Sequence, residues 1–379
     1  MGIGDGIRVG LAGVGRGGKL APFIGAHGGE IAAVCDVNED RLAAFAADLG
    51  VAATYTGYER MLDEAKLDAV FIATPMDLHV PQSIAALERG LHVLCEVPAG
   101  VSIEQCRQLT QAAAASKAVY AMAENRVFDR ANVLVRELVH AGLFGEVYYA
   151  EGQYVLNLRR MLADTPWRRR WMFGVDGISY GTHPLGPILQ WFAGDRIEQV
   201  CCAGSGHHHV DADGRPFENQ DTCVMLGRTA AGRLVQIRMD IQSDRPAAYG
   251  NYQLQGTEGI YEAAPEWRKD RRRIWLRSLS RSPEWFDLRP LMRSGALAGH
   301  LPEEYRRVAE EVFHSGHGGE DYFIFHDFFR AIRGEAPPMV GVHEAMDMTL
   351  PCLVSQQSIS QDGAWLAVPD SRQWRDGRA

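Results

Sequence analysis

Tyr180 and His183, in the stretch SYGTHPLGPI, are the side chains of this sequence best suited to moving protons near neutral pH. Imidazole titrates in that range, and a phenol partnered with it in a cleft shares the work. Glycine and proline crowd the histidine at an expected helix start, which favours a site over simple packing. His317 stands in GHGGED, a glycine-rich loop before a helix, together with Asp321. Loops of that kind often carry function. Glu151 and Tyr154 share one expected strand and face opposite ways unless a bulge intervenes. Glu151, with Gln153 and Val155 on its face, is the candidate carboxylate, and Tyr154 is expected to pack. The run His207–His209 invites a metal, but adjacent histidines diverge and no acid or cysteine is spaced to complete a site, so none is expected.

The stretch GLAGVGRGGKL holds Gly13, Gly15, Arg16 and Gly18 in the pattern GxGxxG. Between a strand and a helix, such a loop receives a pyrophosphate. The first glycine permits the turn, the second admits the phosphates to the backbone, and the third lets helix and strand pack closely. Asp36 ends the next strand, where an acid binds a ribose 2′-hydroxyl and repels a 2′-phosphate, so NAD is expected over NADP. Thr74 ends the strand in DAVFIAT and His79 opens the helix after it. Glu96 and Pro98 end the strand in HVLCEVPAG, and Asn125 follows the last strand of the series. The carboxyl ends of parallel strands line the ligand crevice, which places Thr74, His79, Glu96, Pro98 and Asn125 around the cofactor. Between Glu96 and Pro98 stands Val97, which cannot move a proton.

These residues need a scaffold with strand ends gathered on one rim. Up to Asn125, short β-branched runs (IRVGLAG, EIAAVCD, DAVFIAT, LHVLCEV, AVYAMAE) alternate with amphipathic ones, which predicts an α/β Rossmann domain, a doubly wound parallel sheet, over residues 1–125. From 126 to 379 the texture changes to longer alternating strands with helices, which predicts an α/β domain built on an open, largely antiparallel sheet. The Arg-rich stretch 267–281 reads as an excursion from that domain. With 379 residues, 46% of them apolar, the chain can bury two cores. Its net charge of -9 argues against nucleic acid as a partner. No apolar run is long enough to span a membrane and no leader pattern opens the sequence, so a cytoplasmic protein is expected. The seven scattered cysteines read as reduced thiols.

Taken in order, the glycine loop, ATPMDLH and Glu-x-Pro resemble the Gfo/Idh/MocA family of NAD(P)-dependent sugar oxidoreductases. The resemblance covers most of the chain. It implies a sugar site on the open sheet and a homo-oligomer, dimer or tetramer. Ordinary dehydrogenases of that family carry Glu-Lys-Pro and Asp-x-Gly-x-His, where this sequence has Val97 and Ser179 but keeps His183. CEVPAG, AENRVFDR, LFGEVYYAEGQYVLNLR, TPWRRRW and SYGTHPLGPI together are similar to glycoside hydrolase family 109 and related NAD-dependent glycosidases, including sulfoquinovosidases, with Gly181 and Pro184 as departures.

That similarity implies a redox-neutral glycosidase acting on a small glycoside. C3 of the sugar is oxidised, the aglycone is eliminated across C1 and C2, water adds, and C3 is reduced again. His183 would then take the C3 hydroxyl proton, Tyr180 would act at C2 or hold the sugar, and Glu151 would assist the leaving group or the water. His317 and Asp321 would reach the sugar, with Arg159, Trp167 and Arg168 as further substrate contacts. Arginine forks suit anions, and Met239 stands where the branch carries histidine, so an anionic glycoside such as a sulfoquinovoside is favoured over an N-acetylgalactosaminide. Two alternatives are a conventional NAD-dependent sugar or inositol dehydrogenase and a non-catalytic sensor of NAD and sugar.

Overall fold

The computed structural model describes residues 6–266 and 269–376. The chain begins with β1 (Ile7–Ala12), α1 (Val14–Ala26), β2 (Gly29–Cys35), α2 (Glu39–Leu49), β3 (Thr54–Tyr55), α3 (Tyr58–Glu64), β4 (Ala69–Ile72), α4 (His79–Glu88), β5 (His92–Cys95), α5 (Ile103–Ala115) and β6 (Tyr120–Met122). It continues with α6 (Arg130–His140), β7 (Val147–Val155), α7 (Arg168–Trp171), α8 (Thr182–Trp191), β8 (Ile197–Gly204), β9 (Cys223–Thr229), β10 (Leu234–Asp240), β11 (Ala248–Gly256), β12 (Gly259–Glu266), β13 (Lys269–Leu276) and β14 (Phe286–Asp287). Last come α9 (Leu288–Arg293), α10 (Glu303–Arg307), α11 (Glu320–Ile332), α12 (Val342–Ile359) and β15 (Leu366–Ala367).

Two compact units result. The first holds residues 1–125, 310–346 and 370 onward; the second holds 126–309 and 347–369. The first unit is the expected parallel sheet of six strands, in the order β3-β2-β1-β4-β5-β6. The strand β4, Ala69 to Ile72, is buried on both faces, as helices above and below a parallel sheet require. Local signals set the helix ends. Asn38 accepts the Arg41 N–H at the start of α2, Gly50 at φ 69° stops it, and Ser102 caps α5 through the Gln105 N–H. Residues 310–346 and the tail from 370, assigned by the sequence to the second domain, belong here instead. The reason is burial: Phe325 of α11 packs edge-on against Phe71 of β4 at 5.4 Å, and the Met122 N–H of β6 donates to the Val340 carbonyl at 2.9 Å.

The second unit is built on a nine-stranded sheet, β14-β13-β12-β11-β7-β10-β9-β8-β15. Its central pair β7–β10 is parallel and the other neighbours run antiparallel. The Arg-rich stretch is no excursion: from Lys269 it forms β13, paired with β12. Its arginines are spent on two faces. Arg273 meets Glu262 at 2.6 Å on the more exposed one, and Arg272 meets Asp129, the N-cap of α6, at 2.8 Å on the other. Trp267 and Arg268 lie outside the described residues.

One helix matters most for function. α8 lies on the face of β7 that carries Ala150 and Gly152. A Cβ at Gly152 would stand 2.9 Å from Pro184, so glycine is what lets the helix start come this close. Trp191 at the far end of α8 is fully buried, edge-on to Tyr252 and Tyr261, and its indole donates to the Asn132 carbonyl at 3.0 Å. Burying such a ring stabilises the fold by about 3 kcal/mol, which holds the helix start in register.

Candidate active site

In the first unit the chain order reverses between β1 and β4, where an open parallel sheet forms its ligand crevice. Gly13 turns there at φ 88°, and a Cβ would lie 2.5 Å from the Ala73 carbonyl oxygen after β4. Gly15 is exposed, and a Cβ would find only Nη1 of Arg41, at 3.3 Å. The space over the loop is therefore open at the helix N-terminus, as a pyrophosphate requires. The third glycine serves a different contact from the one expected. Gly18 faces Phe45 of α2, with a Cβ 2.7 Å from the ring, while Gly17 brings helix to strand, 2.5 Å from Leu11. Asp36 sits at the end of β2, half-buried, accepting the Val14 N–H at 3.0 Å and the Asn38 N–H at 2.9 Å.

The strand-end residues divide into two groups. Arg16 donates from Nε to Glu96 at 2.9 Å and stands 4.0 Å from Asp321 at the start of α11. Asp321 is buried and holds Nδ1 of His317 at 2.9 Å, while its neighbour Glu320 accepts the Asn125 side-chain N–H. Thus Arg16, Glu96, Asp321 and His317 form one connected polar chain within the first unit. Thr74 and His79 depart from the expected role of cofactor contacts. The Thr74 hydroxyl donates to Gln82 at 2.6 Å. The His79 ring is buried, with Nδ1 2.8 Å from the Pro98 carbonyl and Nε2 3.0 Å from the Thr74 carbonyl. Burial pushes its pKa down against the pull of those two carbonyls. His79 ties the loop after β4 to the loop after β5 and has no nitrogen left for a ligand. Val97 and Pro98 are buried beside it.

In the second unit the parallel pair β7–β10 ends beside the start of α8. Tyr154, Tyr180 and His183 come together there. The His183 ring centroid is 5.1 Å from Tyr180, edge-on, and 5.3 Å from Tyr154; the two tyrosines are 5.5 Å apart. The Tyr252 hydroxyl donates to the His183 carbonyl at 2.8 Å, fixing the first turn. Met239, paired with Tyr154 across the strands, is buried with Sδ 3.3 Å from the Tyr180 N–H. It supports the cluster and can carry no proton.

The strand alternation was assigned to the wrong partners. Tyr154 joins His183, whereas Glu151 lies on the opposite sheet face, accepting from the Tyr149 hydroxyl at 3.0 Å and from Gln236 at 3.4 Å. Tyr149 is pushed up to about 12 by its own burial and by Glu151. Tyr154 could have been found from Gly152: a glycine on the same face of a strand marks a close approach by another element.

The expected substrate contacts are mixed. Arg159 is bonded to Asp244 at 2.7 Å, so its charge is already balanced. Arg168 lies over the Trp167 ring, 4.5 Å from its centroid, and donates to Thr165 at 3.0 Å; among the described residues no carboxylate pairs with it. Arg169 pairs with Glu218. Of the three histidines, His208 bonds the Ser205 carbonyl and His209 bonds Asp221. The seven cysteines are free, and burial pushes Cys202 and Cys352 up to about 12, so they are no nucleophiles. No helix among the described residues is long and apolar enough to cross a membrane.

Comparison with known proteins divides the chain once, in sequence order, with residues 310–346 inside the second match. Residues 128–375 match the family model "Glycosyl hydrolase 109, C-terminal domain", and residues 7–124 match "Oxidoreductase family, NAD-binding Rossmann fold". A glycosyl hydrolase family 109 protein of Saccharopolyspora erythraea is 31% identical over 396 aligned residues, spanning 96% of this chain and 83% of that protein. Another, from Streptomyces filamentosus, is 27% identical over 98% of this chain and 79% of its own length. Two solved structures share the fold. Levoglucosan dehydrogenase in complex with NADH and levoglucosan superposes with a TM-score of 0.77 at 20% identity, covering 96% of this chain and 100% of that one. An inositol dehydrogenase homologue of Azotobacter vinelandii, complexed with NADH and myo-inositol, superposes with a TM-score of 0.77 at 20% identity, covering 96% and 98%. Residues 7–124 are thus an NAD-binding Rossmann fold.

Proposed function

Because the chain belongs to glycosyl hydrolase family 109, on the fold of the Gfo/Idh/MocA oxidoreductases, we propose that it is an NAD-dependent, redox-neutral glycosidase. The observation that carries this reading is the His183–Tyr180–Tyr154 cluster of the second unit; in the first unit, a buried Val97 stands at the strand end where a dehydrogenase of this fold would present lysine. The glycine loop, with Gly13 and Gly15, would hold the pyrophosphate at the N-terminus of α1, and Asp36 would hold the adenosine ribose. Held there by Gly13, Gly15 and Asp36, NAD would supply the reversible hydride chemistry that the sugar's C3 needs.

The chain's own residues handle the protons. His183 takes the proton from the C3 hydroxyl and releases it to solvent. Once C3 is a ketone, the C2 hydrogen is acidic, and Tyr180, its own hydroxyl proton having gone to solvent through His183, removes it as the phenolate. Tyr154 walls the other side of the imidazole and keeps its ring from turning. Elimination across C1 and C2, addition of water and return of the hydride give hydrolysis with no net oxidation. Among glycosides, an anionic one is favoured: Arg168 is stacked on Trp167 and carries no carboxylate partner among the described residues. We place the protein in the cytoplasm, as a homo-oligomer. One face of the second unit's sheet, with Tyr149, Glu151, Gln153, Gln236 and Arg238, is polar and only half-buried within a single chain.

The test is a panel of aryl glycosides, sulfoquinovoside and N-acetylgalactosaminide included, assayed in deuterated water. Aglycone release without accumulation of NADH, with deuterium entering C2 of the product, is expected. His183→Ala should lose about 100-fold or more of that activity while keeping its NAD. Stoichiometric NADH from a free sugar would replace this reading with a sugar dehydrogenase, and NAD and sugar binding without turnover would replace it with a sensor.

A further inference from the structure

The elimination needs a proton for the departing oxygen, and Glu151, the carboxylate expected to supply it, faces the wrong side of the sheet. The rim of the second unit offers another group. Tyr154, Met239, Cys223 and Gly204 form one row across β7, β10, β9 and β8. Neighbouring strands lie about 4.8 Å apart, so the loop leaving Gly204 starts roughly 14 Å from Tyr154. That loop packs on the segment leading to Tyr180: its Phe217 ring lies 4.9 Å from Phe173, and the Asn219 N–H donates to the Phe173 carbonyl at 3.1 Å. Thr222 donates to Asp240, the last residue of β10, at 2.8 Å, and the Asp221 N–H donates to the Gly206 carbonyl at 2.9 Å. Asp221 is buried, with 5% of its side chain exposed. Its Oδ2 accepts the His208 N–H at 2.9 Å and Nδ1–H of His209 at 3.0 Å, and its Oδ1 is buried with no hydrogen-bond partner.

Burying a carboxylate with so few partners is unfavourable unless it serves a purpose. Here the carboxylate orients one imidazole. It fixes the hydrogen on Nδ1 and leaves Nε2 of a partly exposed ring as the atom that can meet a ligand. The same rim carries Arg159 and its partner Asp244. Within this unit, His209 is the histidine of the rim whose ring is held by a buried carboxylate.

We propose that His209, oriented by Asp221, is the proton donor to the departing aglycone, an assignment that rests on the glycosidase reading above. As Tyr180 removes the C2 proton, the electron pair left on C2 forms the C1–C2 double bond. The C1–O bond breaks with its pair going to the aglycone oxygen, which takes the Nε2 proton of the His209 imidazolium and leaves the neutral ring with its Nδ1–H on Asp221. Water adds to C1 and gives its proton to solvent, from which the neutral imidazole also recovers the proton it lost. Asp221 is a positioning residue.

Aryl glycosides of one sugar, graded from a dinitrophenol to an unsubstituted phenol as leaving group, test this with the full-length enzyme. A good leaving group departs without a proton; a poor one does not. His209→Ala and His209→Gln, the latter keeping a donor for Asp221, should lose about 100-fold on the phenyl glycoside and stay within about threefold of wild type on the dinitrophenyl one. Asp221→Asn should show the same slope with a smaller loss. Equal losses along the series, or none, would overturn the assignment, as would a steep slope in His317→Ala with none in His209→Gln. Failure of the glycosidase reading itself looks different: the wild-type enzyme then cleaves no member of the series.

Discussion

The first two glycines of the loop make opposite demands, so one added methyl group should separate folding from cofactor binding. Gly13→Ala places a Cβ 2.5 Å from the Ala73 carbonyl oxygen and 2.7 Å from its carbon, at φ 88°. Both contacts are backbone to backbone and cannot be relieved by a rotamer. The left-handed conformation alone costs about 1–2 kcal/mol for an L residue, and moving β4's end away from the loop brings the total to about 3 kcal/mol. Gly15→Ala meets only the tip of Arg41 at 3.3 Å, a flexible side chain. In the first turn of α1 it should change stability by less than about 0.5 kcal/mol. Its methyl group occupies the approach to the open helix end, and NAD affinity should fall about 10- to 100-fold, equivalent to about 1.4–2.8 kcal/mol. Urea unfolding of NAD-stripped protein and calorimetric titration with NAD measure the two effects. Gly15→Ala binding NAD as tightly as wild type would refute the phosphate's placement. A normally stable Gly13→Ala would refute the steric account.

Three other perturbations follow. Burial first, then the charge of His326, holds His27 down at about 4 from 6.5; its stabilising contribution is complete above pH 6.5 and is lost as pH falls through 4. With a discount for partial exposure this is about 2 kcal/mol, so His27→Gln should lose less stability than wild type between pH 7 and pH 4, and an equal loss would show that His27 is not the group titrating. Glu151→Gln should keep kcat/KM within about threefold, since it works on the far face of the sheet; a hundredfold fall would return it to the site. Gly152→Ala pushes Pro184, and with it His183, off the strand. We expect kcat to fall about 10- to 100-fold with NAD affinity unchanged, and unaltered kcat would show that the helix start adapts.

The cofactor half was legible because its signals are local. A glycine loop, an acid at the next strand end and capping residues such as Asn38 and Ser102 act within a few residues of themselves. The sugar half was legible only in part. Alternation along β7 separates Glu151 from Tyr154, but only the long-range approach of α8 to Gly152 decides which of them meets His183. His79 carries the motif position of a ligand contact, yet its two carbonyl partners come from separate loops that no spacing reveals. In β13 the arginines masked a strand because their partners, Glu262 and Asp129, are distant in sequence.

The return of residues 310–346 to the first unit has a consequence for how the protein is made. Asp321, which secures Arg16 and His317, and Phe325, which covers β4, emerge from the ribosome long after the six strands they complete. During synthesis the nucleotide-binding sheet must wait, with one face and its charged loop unfinished, while eight of the nine strands of the second unit's sheet, β7 to β14, are translated. The chain is thus threaded out and back, and the half that holds the cofactor is the last to close.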